Sequence, residues 1–235
     1  MKLATVIAAY NEAENIEILY RRLLSVLEGL RGWEFEMIFV IEGNDGTHRK
    51  LTEVAGGKSH TAVLYRERPL GLAAAFEKGF SAVSESVDYV VTMDADLNHR
   101  PEEVPDLLVA ARTTNSDVVV GSRYVKGSVV NGTPAWKRLL SVRVNRLLAP
   151  LSGTGVRDMT SGFRVYRHQV LRETEFENRG FAFLPEILIK AQRCGFRIVE
   201  HPILFEHRTR GQSKMGLLAT TMSYIRLFFR NWLAM

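Results

Sequence analysis

Short apolar runs alternate with helical stretches along the first half of this chain, and that alternation restricts the fold more than any other feature. The strand-like runs lie at residues 3–9, 35–41, 62–65, 89–93 and 117–121. They recur at intervals of about 25 to 30 residues, which is typical of a mostly parallel sheet covered by helices on both faces. The chain is 46% apolar over its 235 residues, enough to fill the core of such an α/β domain.

Two carboxylates follow the fourth predicted strand. The β-branched run after Tyr89 breaks at Asp94 and Asp96, and Asn98 comes two residues later. In an open α/β sheet, ligands bind in the crevice beyond the carboxyl ends of the strands, and carboxylate and amide oxygens suit a hard divalent cation. Because such pairs also occur in exposed turns, the motif alone leaves both a metal site and a solvated turn open.

The charge balance favours anionic partners without choosing among them. The chain has 31 lysines and arginines against 26 aspartates and glutamates, a net charge of +5, which suits nucleotides or phospholipids. The basic residues cluster around predicted phosphate loops and form no aromatic-interleaved stripe, so we expect no nucleic-acid binding. The single cysteine, Cys194, excludes an intramolecular disulfide and indicates a reducing compartment, and no signal peptide is visible.

Three segments of the second half combine basic and apolar residues. Residues 136–151 place apolar side chains at helical spacing with cations between them, which suits either the protein core or an anionic membrane surface. The loop at 206–214 crowds three cations around Gly211, which favours an anion clamp over a basic turn without a ligand. Residues 217–235 are apolar but interrupted by Arg226 and Arg230, so they are predicted to be amphipathic rather than membrane-spanning.

Seven short motifs follow one another along nearly the whole chain. They are Tyr10-Asn-Glu12 with Asn15; Leu70-Gly71-Leu72 with Ala74 and Gly79; Asp94-Ala-Asp96-Leu-Asn-His99; Gly121-Ser-Arg-Tyr124; Trp136 with Arg138, Ser141 and Asn145; Thr160-Ser-Gly-Phe-Arg164; and Arg208-x-x-Gly-x-Ser-Lys214. In this order they resemble the motifs of family 2 glycosyltransferases of the GT-A fold, most closely the dolichyl- or polyprenyl-phosphate mannose synthases. Each motif is weak alone, whereas the ordered set is specific.

The resemblance implies a role for most of these residues. The nucleotide sugar would contact Ala8, Tyr10, Glu12, Ile41, Glu42, Gly71, Asp94, Ala95 and Asp96, with Arg208 and Lys214 closing over its diphosphate. Mg²⁺ or Mn²⁺ would bind Asp96 and Asn98, and the acceptor's phosphate would bind Arg123, Arg138 and Ser141. The residues implied to be catalytic are Asp94, Asp96 and Arg123.

The implied reaction is inverting transfer of a sugar to a polyprenyl or dolichyl phosphate. Mannose from GDP-mannose is the first expectation for this sugar. A phosphate monoester is largely ionised at neutral pH, so it can attack without a general base. Transfer to a saccharide hydroxyl would need a carboxylate such as Glu186 near the anomeric carbon. The Glu-Asp base and the Gln-x-x-Arg-Trp motif of hydroxyl-transferring relatives do not occur in the second half. A nucleotide-sugar-binding membrane subunit without turnover is a further alternative.

Three departures from the family pattern leave the donor open. Glu42 stands where the family has aspartate and the loop after it is shorter, Ala8 stands in place of proline, and Asn98 in place of glutamine. All three positions lie around the base and metal pockets. UDP-glucose or another UDP-sugar is therefore an alternative to GDP-mannose.

The resemblance also predicts the organisation of the chain. Residues 1–215 would form the catalytic domain, with the nucleotide-sugar half at about 1–122 and the acceptor half at about 123–215, and residues 216–235 a C-terminal amphipathic segment. Because a polyprenyl tail is insoluble in water, we expect a cytoplasmic protein that docks peripherally on the cytoplasmic face of a membrane through amphipathic helices. The sequence leaves the oligomeric state open.

Overall fold

The computed structural model describes residues 1–178 and 180–207 together with Tyr224. Its strands are β1 (Lys2–Tyr10), β2 (Glu34–Glu42), β3 (Thr61–Arg66), β4 (Tyr89–Asp94), β5 (Val118–Ser122), β6 (Val129–Asn131), β7 (Arg164–Arg167), β8 (Ile198–Pro202) and β9 (Leu204–Glu206). Its helices are α1 (Ile16–Glu28), α2 (Thr47–Ala55), α3 (Leu72–Ser81), α4 (Val104–Thr113), α5 (Ala135–Ser152), α6 (His168–Glu173) and α7 (Phe183–Arg193), with a 3₁₀ turn at Pro101–Glu103.

Seven strands form one sheet in the order β3-β2-β1-β4-β7-β5-β8. Neighbouring strands run parallel except around β7, which is antiparallel to both β4 and β5. Strands β6 and β9 pair as a small second sheet, and a bridge between His99 and Phe205 joins it to the loop after β4. The predicted mostly parallel sheet of an α/β, GT-A-like fold is confirmed.

Helices cover both faces of the sheet because successive residues of a buried strand point to opposite sides. In β1, Leu3 and Ile7 belong to the core beneath α1, α2 and α4, whereas Ala4 and Val6 belong to the core beneath α3 and α7. Gly79 lets α3 approach closely, since a Cβ at this position would lie 2.3 Å from Val6 Cγ1. The packed layers hold β1, β2 and β4 side by side, so that their carboxyl ends meet at one edge.

Helix α5 is the amphipathic helix expected at residues 136–151. Its buried side carries Asn145 and Val144, whereas Trp136 and Leu139 are 60% and 52% exposed. No helix in the described part of the chain is long and apolar enough to cross a bilayer. The predicted amphipathic segment at 216–235 lies outside the described residues apart from Tyr224, and stays a prediction.

Candidate active site

A cavity of about 880 Å³ opens at the carboxyl edge of the central sheet. The predicted site residues that line it are Ala8, Tyr10, Glu12, Glu42, Gly71, Asp94, Ala95, Asp96, Asn98, Arg123 and Ser141. The Arg138 side chain, Arg208 and Lys214 lie outside the described part of the structure. Ile41 is fully buried in the core instead of lining the cavity, because it faces the opposite side of β2 from Glu42.

The turn after β1 and the loop after β2 interlock at one end of the cavity. The Asn11 side chain accepts a hydrogen bond of 3.0 Å from the Asn44 backbone N–H, and Thr47 Oγ1 accepts one of 2.8 Å from the Glu12 backbone N–H. Gly43 has a φ of 99°, and a Cβ there would lie 1.9 Å from Asn11 Oδ1. Only glycine fits this position, and the contact holds the loop after β2 against the turn whose Glu12 borders the cavity.

The Glu42 carboxylate binds backbone groups of the chain itself. It accepts hydrogen bonds from the N–H groups of Leu70 and Gly71, at 2.9 and 3.3 Å, just before α3 begins. Glutamate reaches one methylene further than the aspartate of the family pattern, so it spans from the end of β2 to this turn. Glu42 therefore shapes the cavity by fixing the segment before α3, a role that depends on tertiary contacts and that the sequence did not indicate.

Asp96 and Asn98 form a compact oxygen-rich pair. Asp96 accepts hydrogen bonds from the backbone N–H and the side-chain amide of Asn98, at 3.1 and 2.8 Å. Asn98 Oδ1 is buried and has no hydrogen-bond partner among the described residues. A buried acceptor without a partner is unusual, and one beside a carboxylate fits a hard divalent cation. The described residues contain no cluster of three or more His, Cys, Asp or Glu side chains suited to a metal, so these two would supply only part of its ligands.

Asp94 lies at the end of β4 with its carboxylate against the loop before β7. The backbone of Gly162 packs so closely that a Cβ there would lie 3.2 Å from Asp94 Oδ2. Thr92 Oγ1 donates a hydrogen bond of 2.8 Å to the Gly162 carbonyl, which holds this loop to the strand. The Asp94 carboxylate is about one third exposed and borders the cavity, so a ligand could reach it.

His99 is a cavity residue whose role the sequence motif left unassigned. Its ring stacks on Phe163 and meets the edge of Phe205, with centroid distances of 5.3 and 5.4 Å. Neither ring nitrogen has a hydrogen-bond partner in the described part of the chain. Burial lowers the pKa of His99 to about 4, so the imidazole is neutral at pH 7 and makes no ion pair with Asp94, 3.9 Å away.

Arg123 is held by a buried carboxylate. Its Nε–H and Nη2–H groups donate to Asp158 at 2.8 and 2.7 Å, and its backbone N–H donates to the same carboxylate at 3.0 Å. Burial alone would raise the pKa of Asp158 and lower that of Arg123. The contact between them reverses both effects, so the pKa of Asp158 lies below its ordinary value and the pKa of Arg123 lies above its ordinary value. Sequence reasoning missed Asp158, because an isolated aspartate in a loop carries no signal of its partner.

A second arginine, Arg164, begins β7 and has no carboxylate partner among the described residues. Arg164 is fully buried and donates to the carbonyls of Leu184 and Met159, at 2.7 and 2.9 Å. The positive charge of Arg164, like that of Arg123, helps to lower the pKa of Asp158. Tyr224 borders the cavity nearby, and burial raises the pKa of its hydroxyl to about 12, so it is a neutral hydrogen-bond donor there.

The remaining candidate residues differ in whether they face the cavity. Ser141 does, and its Oγ accepts a hydrogen bond of 2.6 Å from the Tyr124 hydroxyl. Glu186, the carboxylate considered as a general base, does not line the cavity. It accepts hydrogen bonds from the backbone N–H groups of Glu177 and Asn178, at 3.0 and 2.9 Å, and only 2% of the residue is exposed. Glu186 therefore holds a loop and is not positioned to accept a substrate proton.

Comparison with known proteins agrees with the fold and the ordered motifs. The model of glycosyl transferase family 2 matches residues 5–174. The dolichol-phosphate mannosyltransferase of Pyrococcus furiosus is 37% identical over 98% of this chain, which spans 63% of that protein's length. The polyprenol monophosphomannose synthase of Mycolicibacterium smegmatis is 35% identical over 90% of this chain and 80% of its own length.

A solved structure has the same fold. Glucosyl-3-phosphoglycerate synthase from Mycobacterium tuberculosis, in complex with Mn²⁺, UDP and phosphoglyceric acid, superposes with a TM-score of 0.72. The match covers 97% of this chain and 78% of that chain at 24% identity. The match to the family model and the identity to its members together show that this chain belongs to glycosyl transferase family 2.

Proposed function

We propose that this protein transfers mannose from GDP-mannose to a polyprenyl phosphate at the cytoplasmic face of a membrane, in a reaction that depends on Mg²⁺ or Mn²⁺. The observation that carries the proposal is the cavity itself, which has an oxygen-rich pair at Asp96 and Asn98 and an arginine, Arg123, bordering the same space. The names of the mannosyltransferase relatives support the substrates.

The donor would occupy the part of the cavity next to β1, β2 and β4. Tyr10, Glu12 and the Glu42-anchored turn would border its base and ribose, and Asp94 its sugar or ribose. Asp96 and Asn98 would hold the divalent cation, which when bound neutralises charge on the departing nucleotide diphosphate. The Mn²⁺ and Mg²⁺ in complexes of the structural relative support this use of a metal. Arg208 and Lys214 would close over the diphosphate.

The acceptor would bring its phosphate to Arg123. Arg123 borders the cavity and Arg164 lies close enough to act on Asp158, and the positive charge of these two arginines would favour an anion here. A phosphate dianion attacks the anomeric carbon without losing a proton, and the configuration inverts in a direct displacement. Glu186 is engaged with backbone N–H groups, which weakens the alternative of transfer to a hydroxyl.

Membrane contact would come from α5. Trp136 and Leu139 are exposed on this helix, and Trp136 also borders the cavity. An aromatic residue at the lipid interface would place the cavity mouth where the polyprenyl phosphate emerges from the bilayer.

Purified protein can be offered radiolabelled GDP-mannose, UDP-glucose and UDP-N-acetylglucosamine separately, with Mn²⁺ and a polyprenyl phosphate. We expect label in the lipid from GDP-mannose alone, and loss of transfer when the metal is chelated. Label from a UDP-sugar instead would overturn the donor assignment, and full transfer in chelator would overturn the metal assignment.

A further inference from the structure

The protein binds three of the five N–H groups of the Arg123 guanidinium. Nε–H and one Nη2–H donate to Asp158, and the second Nη2–H donates to Thr160 Oγ1 at 2.8 Å. Neither N–H group of Nη1 makes a hydrogen bond within the described residues, although the guanidinium also lies over the rings of Tyr124 and Phe205, each with its centroid 5.2 Å away, and Arg123 borders the cavity. Nη1 is therefore the part of this guanidinium that is available to an anion.

The Thr160 hydroxyl is fully occupied by protein groups. Its Oγ1 accepts hydrogen bonds from Arg123 Nη2 and from Asn145 Nδ2, at 2.8 and 3.1 Å, and donates to Asp158 Oδ1 at 3.3 Å. A hydroxyl has one donor and two acceptor positions, so these contacts use its whole capacity. Although Thr160 borders the cavity, its hydroxyl has nothing left to offer a substrate.

Asn145 connects this hydroxyl to α5. It is 2% exposed, accepts a hydrogen bond of 2.8 Å from the Met159 N–H, and donates one of 3.0 Å to the Ser141 carbonyl within the helix. A shift of α5 would therefore move the loop that carries Thr160. The helix with exposed Trp136 is thus joined to the arginine through a chain of part-buried hydrogen bonds.

We propose that Thr160 is a positioning residue for the phosphate of the acceptor. It holds the Nη2 side of Arg123, which leaves the Nη1 side of this cavity-lining residue for an anion, and it joins this arrangement to the position of α5. The proposal rests on the proposed function in one respect, that the anion at Arg123 is a phosphate monoester. Without the hydroxyl, a buried N–H loses its partner and the guanidinium turns toward another acceptor.

Thr160→Val removes the hydroxyl and keeps the shape, whereas Thr160→Ser keeps the hydroxyl. Binding of a short, water-soluble isoprenyl monophosphate to the full chain is measured by calorimetry, with the matching isoprenyl alcohol and GDP-mannose as control ligands. We expect Thr160→Val to weaken monophosphate binding about 10-fold, and Thr160→Ser to stay within about 2-fold of the wild type. The affinities for the alcohol and for GDP-mannose should stay unchanged in both variants.

Several results would overturn the proposal. Unchanged monophosphate affinity in Thr160→Val is one, and equal weakening of monophosphate and GDP-mannose without rescue by Thr160→Ser is another. A wild type that binds no monophosphate would remove both this proposal and the proposed acceptor. Thr160-dependent binding without mannose transfer would overturn the reaction alone. If Thr160→Val does not fold, Thr160→Cys supplies the comparison, because a thiol is a weaker hydrogen-bond partner.

Discussion

Asp96 and Asn98 hold each other in one arrangement, which leaves the amide oxygen of Asn98 buried and unpartnered within the described structure. We expect Asp96→Asn to weaken Mn²⁺ binding in the presence of GDP about 100-fold, because it removes the one anionic ligand of the pair. Calorimetric titration of Mn²⁺ measures this effect. Asp106→Asn on α4 is the matched control, since Asp106 is exposed and does not border the cavity. Equal Mn²⁺ affinity in Asp96→Asn and wild type would refute the metal site.

His99 links the site to stability through pH. Burial keeps its folded pKa at about 4, against an ordinary value of 6.5. As the pH falls, the unfolded chain protonates this histidine before the folded protein does. The contribution of neutral His99 to the free energy of unfolding is therefore fully present above pH 6.5 and is lost as the pH falls toward 4. Between pH 7 and pH 5 the wild type should lose about 2 kcal/mol more unfolding free energy than His99→Phe, measured by denaturant titration. Parallel losses in the two proteins would show that His99 is not the group responsible.

Single residues were predictable where the motif places them at a strand end. Asp94 is the last residue of β4 and Asp96 and Asn98 come directly after it, so topology alone brings them to the cavity. Asp158 was not predictable, because its partner Arg123 lies 35 residues away and only the fold brings the two together. Glu42 was assigned to the donor, whereas its carboxylate in the structure binds the turn before α3, a contact made possible by its extra methylene.

At the scale of elements, the interlock of two loops depends on Gly43. Gly43→Ala meets both the strain of a φ of 99° and the Asn11 side chain, so we expect a loss of about 2 to 3 kcal/mol in unfolding free energy and weaker GDP binding. Gly46→Ala is the matched control, because Gly46 has a φ of 95° but a Cβ there meets no described atom within 4 Å. Thermal unfolding and GDP titration should separate the two variants. If both variants lose the same unfolding free energy and the same GDP affinity, the contact of position 43 with Asn11 contributes to neither.

The first five strands could be predicted from the sequence, whereas the short strands β6, β7 and β9 could not. Strands β1 to β5 lie within a residue or two of the apolar runs. Strands β1, β2, β4 and β5 are largely buried and their sequences are nearly continuously apolar, whereas β3 is a partly exposed edge strand. Strand β7 is only four residues long and contains Arg164 and Arg167, so no strand-like apolar pattern in the sequence predicts it. Strands β6 and β9 are three residues each and exist because the fold brings them together. Phe205 of β9 and residues 160–162, just before β7, border the cavity.

For the whole molecule, we expect peripheral membrane contact through α5. Trp136→Ser combined with Leu139→Ser should reduce sedimentation with anionic vesicles about 10-fold, because it removes two exposed apolar side chains from this helix. Val109→Ser is a control on α4, where Val109 is 58% exposed and lies outside the cavity lining. Equal vesicle binding by the double variant and the wild type would contradict a role for α5 at the membrane.

If the acceptor is a phosphate, the protein should distinguish a polyprenyl phosphate from the polyprenol of the same chain length. Each is offered to the wild-type protein with radiolabelled GDP-mannose and Mn²⁺, and label in the lipid fraction is counted. We expect transfer to the phosphate alone, because the cationic Arg123 borders the cavity whereas Glu186 does not. Equal transfer to the free polyprenol would contradict it.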